Sequence, residues 1–174
     1  MRPIVLFLVL LSCATATPLE AQEDYSLPSY TDAQRWTRSA TLQLAVLVGQ
    51  LGAQKAAGLT AMEAGRASAR TFGPPNGWNG SDTPMRLFRG MYRNWMSHPE
   101  QRCELVEAGE DLLRARCNRP YLSYFGDDGM AFGVSLREYE ESGLGFASGL
   151  AEAHGMEWLQ ESEGDEVVIT IRKP

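Results

Sequence analysis

The sequence predicts an α+β domain in which helices pack on an antiparallel four-stranded sheet built from two hairpins, in the order ααα-ββ-α-ββ. Three observations predict it. From Ala33 to Met96 apolar residues recur at helical spacing, with helix-start signals among them. Beyond Pro99, and again after Gly155, the apolar period drops to two. Between those stretches one long amphipathic segment opens on a capping box, Ser135 with Glu138, and runs to about His154.

The first helix is capped by Thr31 or Asp32, carries the stripe Ala33, Trp36, Ala40, Leu44, Leu47 and Leu51, and breaks near Gly58. Thr60 and Glu63 form a second capping box, and Met62, Gly65, Ala69 and Phe72 make the inner face of the helix behind it. Gly73-Pro74-Pro75 stops that helix, because proline cannot continue the hydrogen-bond ladder. A loop carrying Trp78 leads to Thr83-Pro84, where a proline in the first turn costs little. The third helix gathers Met85, Phe88, Met91, Tyr92, Trp95 and Met96 in one arc and Arg86, Arg89 and Arg93 beside it, and His98-Pro99 ends it.

Arg102 to Ala108 and Leu112 to Cys117 read as paired strands. A three-residue Gly109-Glu110-Asp111 loop sets Cys103 against Cys117, Glu104 against Arg116 and Leu105 against Ala115. A loop one residue shorter would pair Leu105 with Arg114, so the first register is preferred. After a turn at Gly126–Gly129 the fourth helix presents Leu136, Tyr139, Gly143, Phe146, Ala147 and Leu150, and Gly155 stops it. Glu157–Glu161 and Glu166–Arg172 then flank a Gly164-Asp165 turn, with Val167, Ile169 and Ile171 alternating as in a half-buried strand.

The 174 residues suit one folded domain over residues 32–174, behind a signal peptide over 1–16 and a disordered lead-in over 17–31. Arg2, the apolar run Ile4 to Leu11 and the small residues Ala14-Thr15-Ala16 form the leader. That run is too short to span a bilayer. Leu10-Leu11-Ser12-Cys13 also reads as a lipobox, with a lipid anchor on Cys13; ordinary cleavage is preferred because that leader would be short. Both readings place the domain outside the cytoplasm, in the periplasm or secreted. The net charge of −6 argues against a nucleic-acid partner, since phosphate binding needs a concentrated basic surface.

In an oxidising compartment Cys103 and Cys117 read as a disulfide, with a Cys–His nucleophile as the competing reading. Two cysteines do not make a structural zinc site, and no metal or cofactor is expected. Gly143 to Gly149 has the wrong spacing and context for a dinucleotide loop; its glycines are read as helix packing positions. His154 sits where a cation meets the negative end of a helix. Arg119, held by the following Pro-Tyr, would suit a carboxylate, or else a salt bridge to one of the many glutamates. Methionines mixed with aromatics fill cores and equally line adaptable pockets. Trp78, Tyr121, Tyr124 and Tyr139 each have a polar tip that needs a partner when buried.

Across "GLTAMEAGRASARTFG", "CNRPYLSYFG", "VSLREYEESGLGFASGLAEAHG" and the closing "GDEVVITIRK", the chain from Gly58 to Ile171 resembles the 4-vinyl-reductase-like and L-2-amino-thiazoline-4-carboxylic acid hydrolase-like small-molecule-binding domains. Those families place cysteines around the last helix and strand, where this chain has none. The resemblance implies a ligand cavity between helices and sheet. The expectation is an exported, non-catalytic domain for a small apolar ligand that can carry an acid. Met91, Tyr92, Trp95, Tyr121, Tyr139 and Phe146 would line the cavity and Arg119 would meet the acid. An exported hydrolase with a Cys/His site and an envelope protein without a ligand are the alternatives.

Overall fold

The structure, a computed structural model, describes residues 29–74 and 76–174. The leader, the lipobox and most of the lead-in lie outside the described residues. Among the described residues four helices, α1 (Asp32–Ala56), α2 (Ala61–Phe72), α3 (Pro84–Trp95) and α4 (Leu136–Ala153), accompany a sheet of β1 (Cys103–Ala108), β2 (Leu112–Asn118), β5 (Glu157–Glu163) and β6 (Glu166–Arg172). The sheet order is β1-β2-β6-β5 and every pairing is antiparallel, so the two hairpins join through β2 and β6. The domain is α+β, with its elements in the expected order.

Local chemistry explains the boundaries. Thr31, Thr60 and Ser135 each cap a helix and each receive a reciprocal bond from the third helical residue, Gln34, Glu63 and Glu138. Thr83 caps α3, with Pro84 in its first turn. Two short pieces between β2 and α4 go beyond the sequence reading. Pro120–Tyr124 forms a 3-10 turn, and β3 (Met130–Ala131) pairs with β4 (Val134–Ser135). Phe132 and Gly133 make the tight turn between β3 and β4 with positive φ values of 49° and 75°.

The cysteine register holds, with Cys103 opposite Cys117 and Leu105 opposite Ala115. Closer to the turn it slips. Val106 is an extra residue on β1, so that Glu107 pairs with Arg114 and Ala108 with Leu113. The Gly109 N–H donates to the Leu112 carbonyl at 2.7 Å, so the expected three-residue loop is replaced by a turn with Glu110 and Asp111 at its tip, behind a bulge.

The main core lies between the sheet and α3, α4 and the end of α2. Leu87, Leu113, Leu150, Ile169 and Ile171 are almost wholly enclosed there. A second cluster joins α1 to α2 through Leu44, Val48, Leu51, Ala61 and Ala64, and takes in Phe125 and Val134. The expected α1 stripe needs correction. Trp36 and Leu47 are 57% and 47% exposed, whereas Val48 is enclosed. Residues 31–39 are all exposed, Trp36 among them, and the buried spacing of Ala40, Leu44, Val48 and Leu51 is a narrow stripe that turns Leu47 aside. Phe72 of α2 is likewise exposed, and Ala61 and Ala64 are enclosed in its stead.

Candidate functional site

Between α1, α2, α3, α4 and the inner face of the sheet lies a cavity of about 800 Å³. That is within the usual range for a small-molecule site. Its apolar walls come from Met91 and Trp95 of α3, Tyr139 and Phe146 of α4, and Trp78 of the loop before α3. Trp78 stands edge-on to Phe146 at 6.2 Å and lies across Gly90, where a Cβ would meet its ring at 2.5 Å. Its backbone has a positive φ of 58°, an unfavourable conformation for a bulky residue, held here where the ring walls the cavity.

Helix α3 divides its apolar arc by depth. Leu87 and Phe88 fill the core, while Met91 and Trp95, one to two turns on, face the cavity. Trp95 is held edge-on between Phe88 and Trp158, each at 6.2 Å. Tyr92 does not line the cavity. It stacks on Phe88, with ring planes within 7° of parallel.

The polar end of the cavity is built by the turn after β2 and the first turns of α4. Tyr121 and Glu140 line it. The Tyr121 hydroxyl donates to Glu140 Oε1 at 2.8 Å. Arg119 is not on the lining. It donates through Nη2 to the same Glu140 oxygen, through Nη1 to the Gly164 carbonyl at 2.6 Å, and through Nε to the Tyr121 hydroxyl at 3.3 Å. Burial opposes the Arg119 charge, but the hydrogen bonds to Tyr121 and Glu140 outweigh it and hold the guanidinium above its ordinary value. Burial also pushes the Tyr121 hydroxyl well above its ordinary range, and pushes Tyr139 up to about 12 with the Glu140 carboxylate adding to it. Both phenols are therefore neutral donors at neutral pH.

Cys103 and Cys117 form a disulfide, and Cys117 is part of the cavity floor. Neither sulfur is then a thiolate, so the Cys–His reading loses its nucleophile. His98 reaches the lining, whereas His154 caps the end of α4 away from it. Among the described residues no three His, Cys, Asp or Glu side chains gather as a metal site.

The sequence reading missed two parts of the lining. One is α1, whose Gln43, Gln50 and Gln54 border the space. Their helical spacing was visible, but glutamines on a stripe read as solvent-facing. The other is the amide clamp at Asn118. Its Oδ1 accepts from the Arg102 N–H at 2.7 Å and from Gln101 Nε2 at 3.1 Å, tying the loop after α3 to the end of β2. No family model matches this chain, and no curated protein matches it.

Proposed function

We propose that this protein is an exported, non-catalytic domain that binds a small, largely apolar ligand between its helices and its sheet. The observation that carries the reading is the aromatic-walled cavity of about 800 Å³. The leader-like first residues support export, and so does the disulfide, which persists in oxidising compartments. The resemblance to small-molecule-binding α+β domains implies a ligand in the same place. The acid first assigned to Arg119 is not carried forward, because that guanidinium is engaged by Glu140, Tyr121 and Gly164.

The test is saturable uptake of the neutral fluorophore N-phenyl-1-naphthylamine by the wild-type domain and by Trp95→Ala. Wild type should bind it with quenching of tryptophan emission. Truncating a fully packed tryptophan costs about 3–5 kcal/mol. Trp95 borders empty space, so its truncation should cost less and still weaken uptake at least about tenfold. A full core penalty with unchanged uptake would return Trp95 to the core and defeat the reading.

A further inference from the structure

The charge inventory of the cavity narrows the ligand class, and the inference rests on the ligand-binding reading just given. Among the described residues the lining includes eight carboxamides, among them Gln50, Asn94 and Gln160, and serine hydroxyls, but no Lys, Arg or Asp. Among those residues Glu140 is the one carboxylate, and the one imidazole, His98, receives the Glu100 N–H on Nδ1 at 3.4 Å. A carboxylate ligand drawn in here would give up part of its water and meet no Lys or Arg of the described lining in return. Arg119, the nearest guanidinium to the polar end, lies behind Tyr121 and Glu140 and has its charge matched there.

Glu140 has a second oxygen. Oε1 takes both Arg119 and Tyr121, while Oε2 accepts from no described residue. The neighbouring Tyr139 hydroxyl likewise makes no hydrogen bond among the described residues, although its ring lies 5.2 Å from that of Tyr121. The polar end therefore offers an acceptor whose charge Arg119 already balances, beside a phenol. Three further aromatic side chains, Trp78, Trp95 and Phe146, are on the lining. We infer that the cavity takes an uncharged aromatic molecule bearing a hydroxyl that donates to Glu140, and that it discriminates against aromatic carboxylates.

Three soluble indoles differ only at the tail: tryptophol (hydroxyl), indole-3-acetate (carboxylate) and tryptamine (ammonium). Calorimetric titration of the wild-type domain should rank tryptophol first, about tenfold tighter than indole-3-acetate, the worth of one hydrogen bond to a charged acceptor. Glu140→Gln keeps a carbonyl oxygen for Arg119 and Tyr121 and replaces the unpartnered oxygen with an N–H donor. It should bring the two affinities close to equal. Indole-3-acetate or tryptamine binding tightest would overturn the inference. An unchanged ratio in Glu140→Gln would do the same, as would failure of all three indoles to bind while N-phenyl-1-naphthylamine still does. Failure of the fluorophore as well would instead remove the ligand-binding reading itself. The wild-type ranking needs no variant, so a poorly folding Glu140→Gln leaves the inference testable.

Discussion

The two flanks of α4 are packed by opposite means. Toward α2 the helix closes to backbone contact. A Cβ on Gly65 would lie 2.0 Å from the Ser142 carbonyl oxygen, one on Gly145 would lie 2.4 Å from the Met62 carbonyl oxygen, and one on Gly149 would lie 2.8 Å from the Ala69 Cβ. Arg66 and Glu152 bridge this seam with two parallel hydrogen bonds of 2.8 Å. Toward α1 and α3 the same helix stands off. A Cβ on Gly143 would meet nothing within 4 Å, and Tyr139 and Phe146 border the cavity. The space left there opens to solvent along α1, where Gln43, Leu47 and Gln50 are exposed. The glycine seam fixes α2 and α4 as one rigid unit, and bulky aromatics can then hold the other side open.

The largest expected effect tests the seam. Gly65→Ala adds a Cβ against backbone that cannot move aside, so the two helices must separate. Helix propensity favours alanine by about 1 kcal/mol, and overpacking should outweigh it for a net loss of about 2 kcal/mol. Urea denaturation would read this as a lower midpoint. A neutral or stabilising result would mean that the seam is slack and that the contrast between the flanks does not exist.

How much of this contrast was legible depended on the kind of signal. Capping boxes and prolines are local, so all four helix starts were readable from a few residues each. Cys103 opposite Cys117 was readable because cross-strand pairing is a direct consequence of register. The bulge at Val106 was not, because it answers to strand twist rather than to side-chain pairing. The glycines of α4 were read as packing positions, which Gly145 and Gly149 are, but nothing in the sequence separates them from Gly143. That distinction depends on which neighbour arrives at each helix face. For the same reason Arg119 could be recognised as a residue needing a carboxylate, while its partner, Glu140, could not be chosen among many glutamates.

An identical substitution on the open side should have the opposite sign and a smaller size. Gly49 lies inside α1, exposed, and a Cβ there would meet nothing within 4 Å. Gly49→Ala should stabilise the domain by about 0.5–1 kcal/mol through helix propensity alone. The pair Gly65→Ala and Gly49→Ala therefore separates sterics from propensity in one urea experiment. A loss at Gly49 would reveal a close neighbour on that face and would sharpen the account of how α1 is seated.

The smallest expected effect concerns how α1 is fastened at its far end. Lys55, in the last turn of α1, donates to Glu138 Oε1 at 2.6 Å and to the Gly133 carbonyl at 3.3 Å. Glu138 also accepts from the backbone and hydroxyl of Ser135. The Lys55 bond, then the Ser135 bonds, hold the Glu138 carboxyl down at about 2, against an ordinary 4.5. Between those values the unfolded chain binds a proton that the folded chain does not. The resulting stabilisation is complete above the ordinary value and is lost as pH falls from 4.5 towards 2. The pair is partly open to water, so screening limits it to about 1 kcal/mol or less. Urea midpoints of wild type and Glu138→Gln should differ at pH 7 and converge by pH 2 to 3. A difference that persists unchanged to pH 2 would show that the carboxylate charge is not the fastening, and that α1 is held against the hollow by Leu44, Val48 and Leu51 alone.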